Sequence, residues 1–121
     1  MRWMIVARKK TLVVDPEKIK WEPSKESPGS LFKLLWVDKK TGAMAVLAKF
    51  SKGFREPKPK HKHPQDRHGI VLKGKWVYEI GRSKKEVKRG MYVFLPAGLE
   101  HRIIDTPEEG VAFIYFDRPP R

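Results

Sequence analysis

Short runs of β-forming residues, separated by turn-forming residues, recur along the chain from residue 31 to residue 116. No stretch shows the 3.6-residue periodicity of an amphipathic helix. We therefore predict an all-β chain whose antiparallel strands form a sandwich or barrel. The predicted strands cover residues 31–38, 43–50, 69–72, 75–80, 91–95, 101–104 and 110–116.

The first thirty residues differ from the rest, because they are rich in charge and contain Pro16, Pro23 and Pro28. We predict an N-terminal extension over residues 1–30, with a strand at 11–14 followed by an irregular arm, and a β-barrel over 31–121. A chain of 121 residues with 40% hydrophobic content can form one core but hardly two, so one structural domain is expected.

The chain offers few signals for targeting. Its apolar run from Trp3 to Ala7 is shorter than the hydrophobic region of a signal peptide, and no segment is long enough to cross a membrane. A cytoplasmic location without membrane association is expected.

The chain is strongly basic, with 27 Lys and Arg against 14 Asp and Glu and a formal net charge of +13. Such a charge suits polyanions. However, the basic residues are spread over predicted turns and strand ends, and no aromatic-interleaved or helical docking motif accompanies them. Nucleic-acid binding is therefore not expected, although the charge does not exclude it.

Three of the four histidines form a pattern typical of metal sites. His61 and His63 are two residues apart and would share one face of a strand, since side chains alternate across the pleat. His101 follows a Pro96-x-Gly98 turn that could bring it to the same face. Because the chain has no cysteine, any metal must be held by nitrogen and oxygen. The sequence predicts a three-imidazole site for a divalent transition metal.

These histidines lie in two segments that resemble the paired cupin motifs, written G(x)5HxH(x)3-4E(x)6G and G(x)5PxG(x)2H(x)3N. In the first motif His61, His63 and Gly74 match. The second motif is matched at Gly90, Pro96, Gly98 and His101, with Asp105 in place of the Asn. The resemblance covers residues 31–117 and implies a cupin jelly-roll barrel of six to eight strands.

A finer resemblance points to the ChrR-like branch of the cupins, in which acetylacetone dioxygenase is an enzymatic example. The residues that carry it are Trp21-Glu22-Pro23, Leu34-Leu35, Asp38 to Gly42, Pro96-Ala97-Gly98 and Glu109-Gly110. It implies an oxidoreductase that uses a three-histidine Fe(II) site. Fe(II) is the favoured ion, and Zn, Ni, Cu or Mn are the alternatives.

The first motif lacks its carboxylate ligand. Counting four residues beyond His63 gives Arg67, and counting five gives His68. A guanidinium cannot coordinate a metal. His68 could be a fourth ligand, the site could be a three-histidine facial array, or metal binding could be lost. Strand alternation leaves the choice open, because a one-residue bulge would exchange the faces of Arg67 and His68.

The ligand set limits the chemistry of the bound molecule. Three neutral imidazoles leave the charge of the metal uncompensated, so the site should favour a chelating enolate or another anionic small molecule. Arg67 and Lys60 are candidate substrate-binding residues, since both are cationic and close to the histidines in sequence.

Two functional classes fit these residues. The first is a small metal-dependent dioxygenase, and the second is a non-catalytic cupin that binds or senses a small anion or a metal. The sequence does not decide whether the chain is an enzyme, and no catalytic residue is assigned. A homodimer is expected because small cupins commonly pair through their sheets.

Overall fold

The structure, a computed structural model, describes residues 10–57 and 59–119. In these ranges the chain forms seven β-strands, one 3-10 turn at Pro16–Lys18 and no α-helix. No helix in the described ranges is long and apolar enough to cross a membrane. The strands are β1 (Glu22–Pro23), β2 (Leu31–Val37), β3 (Met44–Phe50), β4 (Arg67–Ile80), β5 (Ser83–Lys88), β6 (Tyr92–Leu95) and β7 (His101–Phe116).

All strand pairs are antiparallel, and the sheet has the order β1-β2-β3-β7-β4-β5. The long strands β4 and β7 pair along most of their length. Beside β4, β6 pairs with its first residues and β5 with its last. The first residues of β7 therefore lie next to the end of β4, and this places His101 opposite Ile80.

The inward face of β4 changes parity along the strand. Gly69 and Val71 are buried in its first half, whereas Trp76 and Tyr78 are buried in its second half. Register shifts against β7 between Val71 and Tyr78 account for the change, since each irregularity turns the strand relative to its partner. The ring of Trp76 lies over Gly110 of β7, where an added Cβ would come within 2.4 Å of it. The packing of Trp76 against β7 thus requires a residue without a side chain at position 110.

A buried lysine of β2, Lys33, contacts the N-terminal arm at Pro16 and Trp21. Lys33 is 6% exposed, its Nζ donates to the carbonyl of Pro16 at 2.7 Å, and it lies 4.6 Å from the ring of Trp21. Beyond β1 the chain makes a compact loop over residues 24–30, which we call the arm loop. Its backbone bonds run from Ser24 N–H to Ser30 O and from Ser30 N–H to Ser27 O, both at 3.0 Å.

The predicted all-β antiparallel class is confirmed, but several strand boundaries are not as predicted. The runs at 69–72 and 75–80 form one strand, as do those at 101–104 and 110–116. The prediction of a strand at 11–14 is wrong, because these residues form none. Strand β5 was not predicted, since its sequence Ser83–Lys88 is mainly charged and Val87 is its only buried residue. The apolar run Trp3 to Ala7 lies outside the described residues.

Candidate metal centre

The three histidines of the two motifs lie together at one end of the sheet. His61 and His101 form an isolated antiparallel bridge, with N–H to carbonyl bonds of 3.0 and 2.9 Å in the two directions. His63 follows two residues later. The ring centroids are 4.7 to 5.3 Å apart, and one nitrogen from each ring lies within 4.8 Å of the others. The sequence therefore identified the members of this cluster.

The Pro96-x-Gly98 turn is fixed to the segment that carries His63. The Gly98 N–H donates to the carbonyl of His63 at 2.8 Å, and the Ala97 N–H donates to Oδ1 of Asp66 at 2.8 Å. Gly98 has a φ of +80°, a conformation that glycine adopts without strain. The two motifs are thus held together by one backbone hydrogen bond and one from the backbone to a side chain.

The imidazoles of His61 and His101 have the protonation states that a metal requires. His101 Nδ1 lies 2.9 Å from the carbonyl of Leu99, which favours a proton on Nδ1 and leaves Nε2 with a free lone pair. Burial lowers the pKa of His101 to about 4, against a smaller opposing effect of the Leu99 hydrogen bond. Burial also lowers the pKa of His61, although the nearby Glu56 raises it in part. Neutral rings are available for coordination at neutral pH.

Two carboxylates outside the motifs contact the histidines. Glu56 Oε2 lies 3.4 Å from His61 Nε2, and Glu26 Oε1 lies 3.4 Å from His63 Nδ1. Sequence reasoning missed both, because one comes from the arm loop and the other from the loop before His61, at no motif spacing. Carboxylates that touch metal-ligating histidines orient the rings and raise their basicity.

Arg67 takes the motif position of the missing carboxylate and faces the same cavity as His61 and His101. Its Nη2 lies 3.2 Å from both carboxylate oxygens of Glu26, and its guanidinium lies 5.0 Å from the ring of Phe116. Burial would raise the pKa of Glu26, but His63 and Arg67 together lower it below its usual value. The carboxyl is therefore ionised at neutral pH.

His68 is not brought to the cluster. Its Nδ1 lies 2.6 Å from the hydroxyl of Tyr92, and its ring lies 4.8 Å from that of Phe94. Both contacts are on β6, on the outer side of β4. In the described residues the candidate metal-binding group consists of His61, His63 and His101. The possibility of His68 as a fourth ligand is thus not supported by its position.

Lys60, the other candidate substrate-binding residue, is not among the residues that line the cavity shared by Arg67, His61 and His101. Its Nζ donates to the carbonyl of Gly81 at 2.9 Å, in the turn between β4 and β5. That bond ties the segment before His61 to the sheet.

The cluster opens onto a small cavity of about 50 Å³. Its polar walls are formed by Ser27, Glu56, His61, Arg67 and His101. The remaining walls are mainly apolar, from residues Phe50, Gly69, Val71, Trp76, Tyr78, Val93, Leu95, Ile103, Ala112 and Ile114. The interior therefore places a few polar groups in apolar surroundings, as small-molecule sites do.

The residues fit a divalent metal ion. His63 Nε2 is buried and has no hydrogen-bond partner among the described residues, which is costly for a polar atom unless something else binds it. Three nitrogen donors without a thiolate suit Fe, Zn, Ni or Cu. His61, His63 and His101 would hold such an ion.

An antiparallel jelly roll with a histidine cluster inside one end defines a cupin. The chain belongs to the ChrR cupin-like domain family, which matches residues 9–120. The predicted cupin fold and the resemblance to the ChrR-like branch are confirmed. No curated protein sequence matches the chain.

Solved structures with the same fold share little sequence with the chain. An RmlC-like cupin from Shewanella frigidimarina is 21% identical, with a TM-score of 0.73 over 93% of this chain and 94% of that one. A candidate acetylacetone dioxygenase from Methylibium petroleiphilum is 16% identical, with a TM-score of 0.73 over 94% and 81%. The polyketide cyclase RemF from Streptomyces resistomycificus is 20% identical, with a TM-score of 0.73 over 93% and 83%. At these identities the similarity establishes the fold alone.

Proposed function

We propose that this protein is a mononuclear metal cupin that binds a divalent transition ion, with Fe(II) favoured, through His61, His63 and His101. We further propose that it is an oxidoreductase of the acetylacetone dioxygenase kind, acting on a chelating enolate or another anionic small molecule. The observation that carries the proposal is the buried His63 Nε2, which has no partner among the described residues and belongs to a cluster of three imidazoles.

The charges around the cluster support an anionic ligand. Arg67 stands where the cupin motif has a carboxylate ligand, so the ligand set is uncharged. Glu26 is balanced by Arg67 at 3.2 Å, which leaves Glu56 as the one carboxylate near the cluster without a cation of its own among the described residues. A divalent ion would still carry excess positive charge, and an enolate or carboxylate would neutralise it.

Each residue would have a separate task in such a reaction. An Fe(II) ion held by His61, His63 and His101 would supply a binding site for a chelating substrate and for dioxygen. Arg67 attracts the anionic substrate and holds its oxygen. Glu56 and Glu26 hold the rings of His61 and His63 in place, and the Leu99 carbonyl fixes the proton of His101. The apolar walls of the cavity limit the entry of water.

Metal content tests the first part of the proposal. Untagged protein purified without chelator should hold about one equivalent of a transition metal, measured by inductively coupled plasma mass spectrometry. The double variant His63→Ala, His101→Ala should hold little. His68→Ala is the matched control, because it also removes a histidine but leaves the cluster intact. A wild-type protein that contains no metal and takes up none of Fe(II), Zn(II), Ni(II) and Cu(II) would contradict the proposal.

Oxygen consumption tests the second part. Protein loaded with Fe(II) under anaerobic conditions should consume dioxygen when pentane-2,4-dione is added, and the double variant should not. If the wild type binds metal and diketone without consuming dioxygen, the alternative of a non-catalytic cupin that binds or senses a small anion replaces the enzyme.

The expected homodimer remains a proposal as well, and so does the absence of nucleic-acid binding. Light scattering coupled to size-exclusion chromatography gives the mass in solution. Retention of DNA or RNA that falls steeply with salt would contradict the second expectation.

A further inference from the structure

A second, larger cavity adjoins the histidine cavity. It has a volume of about 520 Å³, within the range typical of small-molecule sites. Its apolar walls come from β2, β3 and β7, with residues Leu31, Phe32, Leu34, Met44, Val46, Ala48, Phe50, Ile114 and Phe116. The histidine cavity, at about 50 Å³, has room for only a few water-sized groups. A ligand of more than a few atoms at the cluster therefore needs the larger cavity for the rest of its body.

Arg67 lies at the junction of the two cavities. Arg67, Ser27, Phe50 and Ile114 line both of them. The side chain of Arg67 is 16% exposed. Its Nη2 is engaged with Glu26, but its Nε is buried without a hydrogen-bond partner among the described residues. The guanidinium thus retains one N–H donor that its present contacts leave unsatisfied.

Glu26 occupies the place that the carboxylate of a ligand would take. Its ionised side chain contacts Arg67 at 3.2 Å and His63 at 3.4 Å, from the arm loop. The side chain is 26% exposed, and no backbone N–H of the described residues donates to it. A ligand carboxylate could make the same contacts with Arg67 at the cost of a contact between two side chains. The cavity wall formed by the arm, residues 22–27, would then lie along the ligand.

We propose that the ligand is an amphiphilic monocarboxylate, with its charged head on Arg67 beside the histidines and its apolar chain in the 520 Å³ cavity. Glu26 competes with the ligand for Arg67. The location of the head beside a metal ion rests on the proposed function, whereas the pairing with Arg67 and the burial of the chain do not require the metal.

Titration calorimetry with octanoate as the probe tests the proposal on chelator-treated protein. Acetate is the control without a chain, and 1-octanol is the control without a charge. We expect octanoate to bind at least about tenfold more tightly than either control, because only octanoate uses both Arg67 and the apolar walls. Equal binding of octanoate and 1-octanol, or of octanoate and acetate, would overturn the proposal.

Three variants locate the head and the chain. Arg67→Gln should weaken octanoate binding at least about tenfold, and Glu26→Gln should strengthen it several-fold because the competing carboxylate is gone. Leu34→Trp, at a position 41% exposed on the cavity wall, should weaken octanoate and leave acetate unchanged. If Arg67→Gln does not fold, the Glu26→Gln result decides: weaker or unchanged octanoate binding in that variant contradicts the competition.

Metal content distinguishes this inference from the proposed function. Protein that binds octanoate through Arg67 but holds no metal would support the monocarboxylate site and contradict the metal cupin. Protein that holds one equivalent of metal but shows no preference for octanoate would support the metal cupin and contradict the monocarboxylate site.

Discussion

Two glutamates contact the histidine cluster, and they are held in different ways. Glu56 is 5% exposed. It accepts the backbone N–H of Ile103 at 2.7 Å and the hydroxyl of Ser27 at 2.9 Å, besides its contact with His61. Glu26 lies on the arm loop with its side chain 26% exposed, and it contacts the side chains of Arg67 and His63.

Glu56 therefore has a structural role, whereas a ligand could replace the contacts of Glu26. Glu56 joins the loop before His61 to β7 and to the arm loop, so its carboxylate is part of the connection between these segments. Glu26 contacts Arg67 and His63, two side chains that a ligand or a metal would also engage. We therefore expect changes at Glu56 to affect stability first and changes at Glu26 to affect binding first.

Removal of the Glu56 carboxylate should have the largest effect on stability. Glu56→Ala leaves the buried Ile103 N–H and the half-buried Ser27 hydroxyl without their acceptor, at about 1–3 kcal/mol for the buried group and less for the hydroxyl. We expect the free energy of unfolding to fall by about 3 kcal/mol, measured by urea denaturation. Glu56→Gln keeps one oxygen and should lose about 1 kcal/mol. A loss of similar size in Glu26→Ala would remove the distinction between the two glutamates.

Acid should weaken the metal-free protein through His101, the one histidine of the cluster whose hydrogen bond goes to a carbonyl. Its pKa is about 4 in the folded protein, against an ordinary value of 6.5 for an exposed histidine. Between these values the unfolded chain binds more protons than the folded one, so stability is complete above pH 6.5 and falls as the pH decreases towards 4. From pH 7 to pH 5 we expect a loss of about 2 kcal/mol from this group.

The measurement is urea denaturation of metal-free protein across this pH range. His101→Asn should flatten the profile, because its side chain does not titrate. An unchanged slope in that variant would assign the acid sensitivity to other groups, such as His61, whose pKa is also lowered by burial.

Replacement of Glu26 should affect metal binding more than folding. Glu26→Gln removes the charge that faces His63 and keeps the shape of the side chain. We expect the affinity for Zn(II), measured by competition with a chromophoric chelator, to fall by about tenfold. The free energy of unfolding should change by less than about 1 kcal/mol, since the pair is partly exposed. Unchanged zinc affinity would mean that Glu26 does not act on His63.

The sequence predicted the histidines better than their surroundings, for a physical reason. The two-residue spacing of His61 and His63 and the turn before His101 are local signals that a sequence carries. They identify the right residues, although His61 forms only an isolated bridge and His63 lies outside the strands. Glu26 lies 41 residues before its partner Arg67, and Glu56 is held by tertiary contacts with Ser27 and Ile103, which are 29 and 47 residues away. No local periodicity encodes such contacts, and a motif that lacks its own carboxylate gave no reason to look for one elsewhere.

The fold shows the same division. Runs of β-forming residues between turn signals predicted β2, β3 and the buried parts of β4 and β7. This pattern missed that the runs on either side of Gly74 form one strand. Gly74 has a φ of +75°, and an added Cβ would lie 2.0 Å from the carbonyl oxygen of Glu109. The glycine therefore allows the backbones of β4 and β7 to come close together, and it does not mark a turn between two strands.

The smallest effect on stability and metal binding is expected at His68. This residue and its neighbour Arg67 lie on opposite sides of β4. His68 and Arg67 are neighbours, but Arg67 lines the histidine cavity and His68 pairs with Tyr92 of β6. His68→Phe keeps the ring contact with Phe94 and loses the bond to the Tyr92 hydroxyl, at about 1 kcal/mol or less because the pair is exposed. Metal content and zinc affinity should equal those of the wild type. A loss of metal in this variant would mean that β4 turns over near Arg67 when an ion binds, and the inner position of the guanidinium would then no longer hold for the metal-bound protein.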